Sequence, residues 1–517
     1  MNSGRILAKP GVCSKGKMYY SLGVSSVDPM TDTYLMESIW IAQDMLIKKV
    51  LIANRGEIAV RIVRACAEMG IKSVAIYAEP DRHALHVKKA DEAYNIGPDS
   101  IAGYLNVHRI VNLAVATGCD ALHPGYGFLS ENPDLAAACE RRGIKFIGPN
   151  ADVIQRMGDK TEARRAMIQA GVPVTPGTED NLASLDEAIQ LADEIGYPVM
   201  LKATSGGGGR GIRRCDSKAE LEKNFERVIS EATKAFGSAD VFMEKCVVNP
   251  KHIEVQILAD SHGNAVSLFE RDCSVQRRHQ KLIEIAPSPQ LSEAQRKEIC
   301  DYAVKAAKIV NYENAGTVEF LLDQNGDFYF MEMNTRLQVE HCVTEEITGI
   351  DIVQAQIRIA AGEKLNFEQK DIERRGYAME FRINAEDPKN DFLPSFGRIT
   401  RYFAPGGPGI RTDSAIYSGY RIPPYYDSMC VKLTVWALTW EEVLRRSERA
   451  LQDISVFGVK TTIPYQLEII KTEEFKKGII DTGFVEAHPE LINYSTRRPP
   501  RELAAVIAAA VAAHLRT

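Results

Sequence analysis

Apolar positions along the chain change their period at intervals, and those changes predict its elements. From Lys49 the sequence reads KVLIANRGEIAVRIVRACAEMG: a short β-branched run, a break at a glycine, then Ile58, Ile62, Val63 and Ala67 at helical spacing. Short β-branched runs favour strands, whereas a helix against a core repeats its apolar residues every three or four positions. The same strand, break and helix rhythm returns at SVAIYA from Ser73, at ALHPGYG and at IKFIGP. Such repetition predicts an open parallel sheet covered by helices, an α/β domain over residues 47–150.

Beyond it the pattern becomes α+β. Residues 151–369 mix helical and strand periods around a glycine-rich loop, and residues 380–487 are strand-rich, broken by PGGPG and IPPYY. In the tail, 488–517, a short helix is expected in which Leu503, Val506, Ile507, Ala510, Val511 and Leu515 share one face. Packing of that face on its own subunit is expected; docking to a partner is the alternative. In residues 1–46, Arg5, Lys9, Lys15 and Lys17 precede the first acid, Asp28, as in a transit peptide. No amphipathic period runs through the segment, and Met45 stands just before the first convincing strand, so a dispensable extension is expected.

Composition narrows the classes. With 517 residues and 45% hydrophobic content the chain can bury about three domain-sized cores. A formal charge of −6 without dense Lys/Arg blocks argues against nucleic acid as a partner. The ten cysteines are scattered, with no CxxC pair, which fits a reduced, cytoplasmic setting better than a zinc or disulfide framework. No apolar run reaches the roughly 20 residues of a membrane span.

Three stretches carry chemistry. In YPVMLKATSGGGGRGI a strand bearing Lys202 runs into Gly206–Gly209. Bare backbone N–H groups and a lysine can close over phosphate oxygens, but the stretch has neither P-loop nor dinucleotide-fold order, so alone it also fits a flexible loop. In GTVEFLLDQNGDFYFMEMNTRLQVEH, Glu319 and Glu332 each interrupt an apolar strand, and the strands are joined by an AspGlnAsnGly turn. A carboxylate among apolar neighbours is costly without a cation. With Asn334 the two acids form an all-oxygen set suited to Mg²⁺; salt-bridged strand acids are the bland alternative. Arg336 and Glu340 follow, a fixed cation and a candidate base. In ERDCSVQRRHQKLIEIAP, an extended segment would set Gln276, His279 and Lys281 along one wall, with Arg277 and Arg278 in structural ion pairs.

Taken together, ANRGEIAVRI, HPGYGFLSEN, MGDK, KATSGGGGRG, ERDCSVQRRHQK, EMNTRLQVEH and RINAEDP resemble the biotin carboxylase family of the ATP-grasp superfamily, in order and over Ile47 to about Glu486. The resemblance implies an ATP-grasp domain with a glycine-rich lid over 151–369 and a biotin carboxylase C-terminal domain over 380–487. It implies an ATP site at Lys160, Lys202, Gly208, Gly209, Glu244, Lys245, Val247, His252, Gln276 and His279, with Mg²⁺ or Mn²⁺ on Glu319, Glu332 and Asn334. Bicarbonate is then expected at Lys281, Arg336, Gln338 and the backbone of Val339, with Glu340 as base and Arg382 stabilising the biotin anion. Two departures are local: Cys246 stands where the family usually has an aromatic residue, and Cys342 where it often has proline.

No Met-Lys-Met tripeptide of the biotin-bearing kind occurs. The resemblance therefore implies a homodimer that works with a separate biotin carboxyl carrier protein and a separate carboxyltransferase subunit. Acetyl-CoA, pyruvate or a related compound is the implied final acceptor. Another ATP-grasp ligase joining a carboxylate to an amine, or a non-catalytic nucleotide-binding subunit, stays open as an alternative.

Overall fold

The computed structural model describes residues 47–178, 180–204, 211–236, 240–495 and 500–515. The expected N-terminal extension and the glycines at 206–209 lie outside the described residues.

The first unit is the expected parallel sheet. Strands β1 (Lys49–Ile52), β2 (Lys72–Tyr77), β3 (Glu92–Asn95), β4 (Ala121–His123) and β5 (Lys145–Phe146) pair in parallel in the order β3-β2-β1-β4-β5. Helix α1 (Gly56–Glu68) leaves β1 and buries Ile58, Ile62 and Val63. Strand order reverses at β1, and in open α/β sheets the crevice beyond the strand ends at such a switch is where ligands bind. Here the loops after β1 and β4 meet at that crevice: Asn54 Nδ2 donates to the carbonyls of Pro124 at 2.7 Å and Tyr126 at 2.8 Å. Gly125 has φ +64°, and a Cβ there would lie 3.0 Å from Asn54 Nδ2, so the close approach requires glycine.

A small antiparallel sheet, β7-β6-β8, is formed by β6 (Val199–Ala203), β7 (Ile212–Cys215) and β8 (Val241–Lys245). Helices Leu185–Ile195 and Lys218–Phe236 cover it through a core that includes Leu201, Phe225, Val228 and Met243. The sheet thus carries Lys202 and Glu244 on neighbouring strands.

The largest element is one antiparallel sheet of eight strands. It runs through β9 (Lys251–Ala259), β10 (Ala265–Arg277), β11 (Gln280–Ala286), β12 (Asn314–Leu322), β13 (Phe328–Asn334) and β14 (Tyr377–Asn384). It ends with Met429–Ala437 and Ile410–Ser414, in the order β13-β12-β9-β10-β11-β14 followed by those two. Strands from the second and third sequence regions therefore share hydrogen bonds, and the site acids and cations lie along one continuous surface.

Two expectations need correction. The Gln276–Lys281 stretch is not one extended segment but a hairpin: Gln276 pairs with Lys281 across β10 and β11, and Arg278 and His279 form the turn at φ 49° and 64°. Pairing between two strands, rather than alternation along one, sets Gln276 beside Lys281. The tail does form a helix, Pro500–His514, but Ile507, Val511 and Leu515 are exposed, so the expected packing on its own subunit is not made at those residues.

Candidate active site

Between the β1 and β4 loops, the β6–β8 sheet and the large sheet opens a cleft of about 1230 Å³. Lys160, Lys202, Glu244, Lys245, Val247 and His252 line one part of it. Gln276, His279, Lys281, Glu319, Glu332, Asn334, Arg336, Gln338, Val339 and Arg382 line the rest. Gly208 and Gly209 belong to the stretch outside the described residues. Glu340 is fully buried and is not itself part of the lining; it lies behind Lys281 and Arg382, two lining residues that it touches.

Strand register explains the acid cluster. Glu254 on β9 stands opposite Glu319 on β12, and Glu319 stands opposite Glu332 on β13, so three carboxylates share one row and one face. Like charges side by side destabilise a sheet unless cations intervene. Lys281 Nζ supplies one, lying 2.6 Å from Glu254 Oε2, 3.2 Å from Glu319 Oε1 and 2.6 Å from Glu340 Oε1. Arg271, fully buried, supplies another through Nε to Glu254 Oε1 at 2.5 Å. Asn334 Nδ2 and Gln338 Nε2 also donate to Glu319 Oε1, at 3.0 and 2.8 Å, while His252 Nε2 is 2.8 Å from Glu319 Oε2.

Glu332 is treated differently. Among the described residues no side-chain hydrogen bond reaches its carboxylate, and burial, followed by the charge of Glu319, pushes that carboxyl above the ordinary value. Lys160, at the first position of helix Lys160–Gln169, works the other way. A row of carboxylates with its outermost member short of positive charge fits a divalent cation held by oxygen ligands, so Glu319, Glu332 and the Asn334 side chain are a chemically consistent metal set.

Glu340 is held on both oxygens: Lys281 bonds Oε1, and Arg382 Nη2 donates to Oε2 at 2.9 Å. Burial works to raise its carboxyl, but Lys281 and Arg382 outweigh burial and hold it well below the ordinary carboxylate range. Arg382 Nε in turn donates to Glu284 Oε1 at 2.5 Å. Arg336 is fixed by Glu131, Asn334 and Gln338: Nε donates to Glu131 Oε2 at 2.9 Å, Nη2 to Asn334 Oδ1 at 3.0 Å and Nη1 to Gln338 Oε1 at 3.2 Å. On the opposite wall Lys202 Nζ pairs with Glu244 Oε1, and Thr175 Oγ1 donates to Glu244 Oε2 at 3.0 Å. Lys245 Nζ donates to the backbone carbonyls of Gly196 and Tyr197, which ties β8 to the turn before β6.

Arg277 and Arg278 do make the structural pair expected of them, both to Asp391, with Arg277 also stacked over Phe392 at 4.0 Å. Cys342 is buried 3.5 Å from Asp413 Oδ2, and Cys246 lines the cleft. Sequence reasoning did not single out Glu131, Glu254, Arg271 or Glu284. Glu254 left no usable signal, since it occupies a polar position of the regular alternation in HIEVQIL, whereas Glu319 breaks a continuous apolar run. Arranged in this way, the cleft offers cations for phosphate oxygens, an oxygen set for a metal, and an acid between two cations for proton transfer.

Comparisons with known proteins agree along the whole described core. Residues 46–154 match the model of the biotin carboxylase N-terminal domain, 159–368 that of the carbamoyl-phosphate synthase L chain ATP-binding domain, and 380–487 that of the biotin carboxylase C-terminal domain. The 2-oxoglutarate carboxylase small subunit of Hydrogenobacter thermophilus is 53% identical over 469 residues, 91% of this chain and 99% of that protein. A pyruvate carboxylase subunit of Methanothermobacter thermautotrophicus is 52% identical over 458 residues, 88% of this chain and 93% of that protein. Among solved structures, the biotin carboxylase domain dimer of the Hydrogenobacter thermophilus 2-oxoglutarate carboxylase, in complex with MgADP, ADP and bicarbonate, superposes with a TM-score of 0.85. It is 54% identical and covers 88% of this chain and 100% of that one.

Proposed function

The chain belongs to the biotin carboxylase family, an ATP-dependent ligase family using ATP and Mg²⁺, and on that premise we propose how the cleft carboxylates biotin. Lys160, Lys202 and the loop holding Gly208 and Gly209 bind the ATP phosphates, with Glu244, Lys245, Val247, His252, Gln276 and His279 completing the nucleotide site. Glu319, Glu332 and Asn334 hold Mg²⁺, which when bound draws charge from the transferring phosphoryl group. Lys281, Arg336, Gln338 and the Val339 backbone bind bicarbonate. Glu340 takes the bicarbonate proton as the oxygen attacks the γ-phosphorus, the bond from that phosphorus to the β,γ-bridging oxygen breaks, and ADP leaves, giving carboxyphosphate. That intermediate breaks down to CO₂ and phosphate, the phosphate accepts the N1 proton of biotin, and Arg336 and Arg382 stabilise the anion that captures CO₂.

The observation that carries this assignment is the double hold on Glu340 by Lys281 and Arg382. Bicarbonate entering with its own negative charge competes for Lys281, and the carboxylate, its hold loosened on that side, regains basicity next to the proton it must take. The test is ATP cleavage by the purified protein with and without bicarbonate and free biotin. Cleavage should depend on bicarbonate, and carboxybiotin should accumulate; equal cleavage without bicarbonate would reject the carboxyphosphate route.

For the remaining reaction we propose a biotinylated carrier and a carboxyltransferase as separate partners, a homodimeric state, and a 2-oxo acid such as pyruvate as final acceptor. Support comes from relatives named for 2-oxoglutarate carboxylase and pyruvate carboxylase, and from a solved relative described as a dimer. Co-purification of the carboxyltransferase, followed by assays on pyruvate, 2-oxoglutarate and acetyl-CoA, decides the acceptor.

A further inference from the structure

Lys432 is fully buried, and a lone ammonium in such a place is costly. It sits on strand Met429–Ala437 directly opposite Arg382 of β14 and opposite Asp413 of Ile410–Ser414. Cross-strand partners project from the same face of a sheet, so Lys432 and Arg382 are presented to the same side. Each reaches the turn that follows β13, at consecutive residues. Arg382 Nη2 donates to the carboxylate of Glu340, and Lys432 Nζ donates to the backbone carbonyl of Val339 at 2.7 Å.

The acids around Lys432 come from three directions. Glu57 Oε1, from the first turn of α1, is 3.4 Å from Nζ, and the Tyr126 hydroxyl donates to the same oxygen. Burial works against the charge of Lys432, and the acids around it, Glu57, Glu380 and Asp413, act to keep it charged. The ammonium is therefore kept charged while one of its protons is directed at a backbone carbonyl. A charged donor on a carbonyl fixes that peptide plane more firmly than a neutral one. The plane in question joins Val339 to Glu340, so holding it sets both the Val339 Cα, from which the Val339 N–H is directed, and the start of the Glu340 side chain.

We propose that Lys432 is a positioning residue for bicarbonate, one that holds the Val339–Glu340 peptide so that the Val339 N–H and the Glu340 carboxylate face the anion together. Lys432 is absent from the cleft lining, whereas Val339 and Arg382 are in it, so its effect passes through the backbone. The inference rests on the reading that residues 336–340 bind bicarbonate.

Bicarbonate-dependent ATP cleavage by the full chain tests it, with KM for bicarbonate and for ATP measured separately in Lys432→Met, Lys432→Arg and Gln338→Ala. Loss of a charge-assisted hydrogen bond predicts that Lys432→Met raises KM for bicarbonate about tenfold, with KM for ATP within about twofold of wild type. Lys432→Arg, which keeps charge and donor, should recover part of that loss. A merely structural lysine would move both constants together or lower only the amount of folded protein. If Lys432→Met leaves too little folded protein, Lys432→Met/Glu57→Gln removes both halves of the ion pair and is compared with Glu57→Gln alone. An unchanged KM for bicarbonate in the lysine variants, with a raised one in Gln338→Ala, overturns the role of Lys432 and leaves the bicarbonate reading standing. An unchanged KM in all of them removes that reading and this inference with it.

Discussion

Arg336 Nε donates to Glu131 Oε2 at 2.9 Å across 205 positions of sequence, joining the loop after β4 to the turn after β13. The bond orients a guanidinium whose other nitrogens already reach Asn334 and Gln338, so three sides of the fork are set by the protein. Glu131 is about half exposed, which moderates the contribution. Glu131→Gln should lower kcat/KM for bicarbonate by about three- to tenfold, the scale of one hydrogen bond to a charged group. Measured at saturating ATP, an unchanged value would show that Asn334 and Gln338 orient Arg336 without help.

A second relationship concerns stability. Glu345 accepts from Arg61 of α1 at 2.9 Å on one oxygen and from Arg411 at 2.7 Å on the other, tying the parallel unit to the large sheet. Burial would raise its carboxyl, but Arg61 and Arg411 help bring it down to about 2. A folded value below the unfolded one means stabilisation that is complete above the ordinary value of 4.5 and lost as pH falls toward 2. The shift corresponds to stabilisation on the order of 3 kcal/mol at neutral pH. Urea midpoints of wild type and Glu345→Gln should thus differ most above pH 4.5 and converge below it. A difference independent of pH over that range would remove the ion network as its cause.

How far the sequence reached depended on whether a contact leaves a local trace. Glu319 and Glu332 were legible because each breaks an apolar strand, and their hairpin turn lies between them in the sequence. The β1–α1 unit was legible from the change of period at Gly56. Nothing local connects Glu131 to Arg336, or Lys432 to Val339, since those pairs exist only once strand order is known. The hairpin at Arg278 and His279 was hidden for a different reason: neither residue is glycine, yet both adopt positive φ, so the usual turn signal is missing. Likewise, apolar spacing in the tail was enough to predict a helix but not what, if anything, its apolar face touches.

The metal assignment makes its own prediction. Glu332 ends the carboxylate row, and burial already raises its pKa, so a cation brought to Glu332 and Glu319 relieves repulsion between them. Glu332→Gln removes one negative oxygen ligand and should raise the Mg²⁺ concentration for half-maximal ATP cleavage by about 10- to 100-fold, while circular dichroism stays that of the wild type. An unchanged Mg²⁺ dependence would exclude Glu332 as a ligand.

Glu340 and Arg382 touch each other, so inactivity of either variant alone cannot assign their separate steps. Under the proposed chemistry Glu340 acts before phosphoryl transfer is complete and Arg382 after it. Glu340→Gln keeps shape and hydrogen bonding but loses the base, so ATP still binds while bicarbonate-dependent phosphate release falls by about 10²–10⁴-fold. Carboxybiotin should fall in step, because no carboxyphosphate forms. Arg382→Ala instead removes the cation assigned to the biotin anion, and carboxybiotin yield should fall more than phosphate release. It also takes one of the two cations from Glu340, which raises the carboxylate's basicity and acts to preserve the first step. Phosphate and carboxybiotin are therefore measured together at saturating ATP. Equal loss of both products in Arg382→Ala, in a variant with the wild-type fold, would assign that arginine to phosphoryl transfer instead.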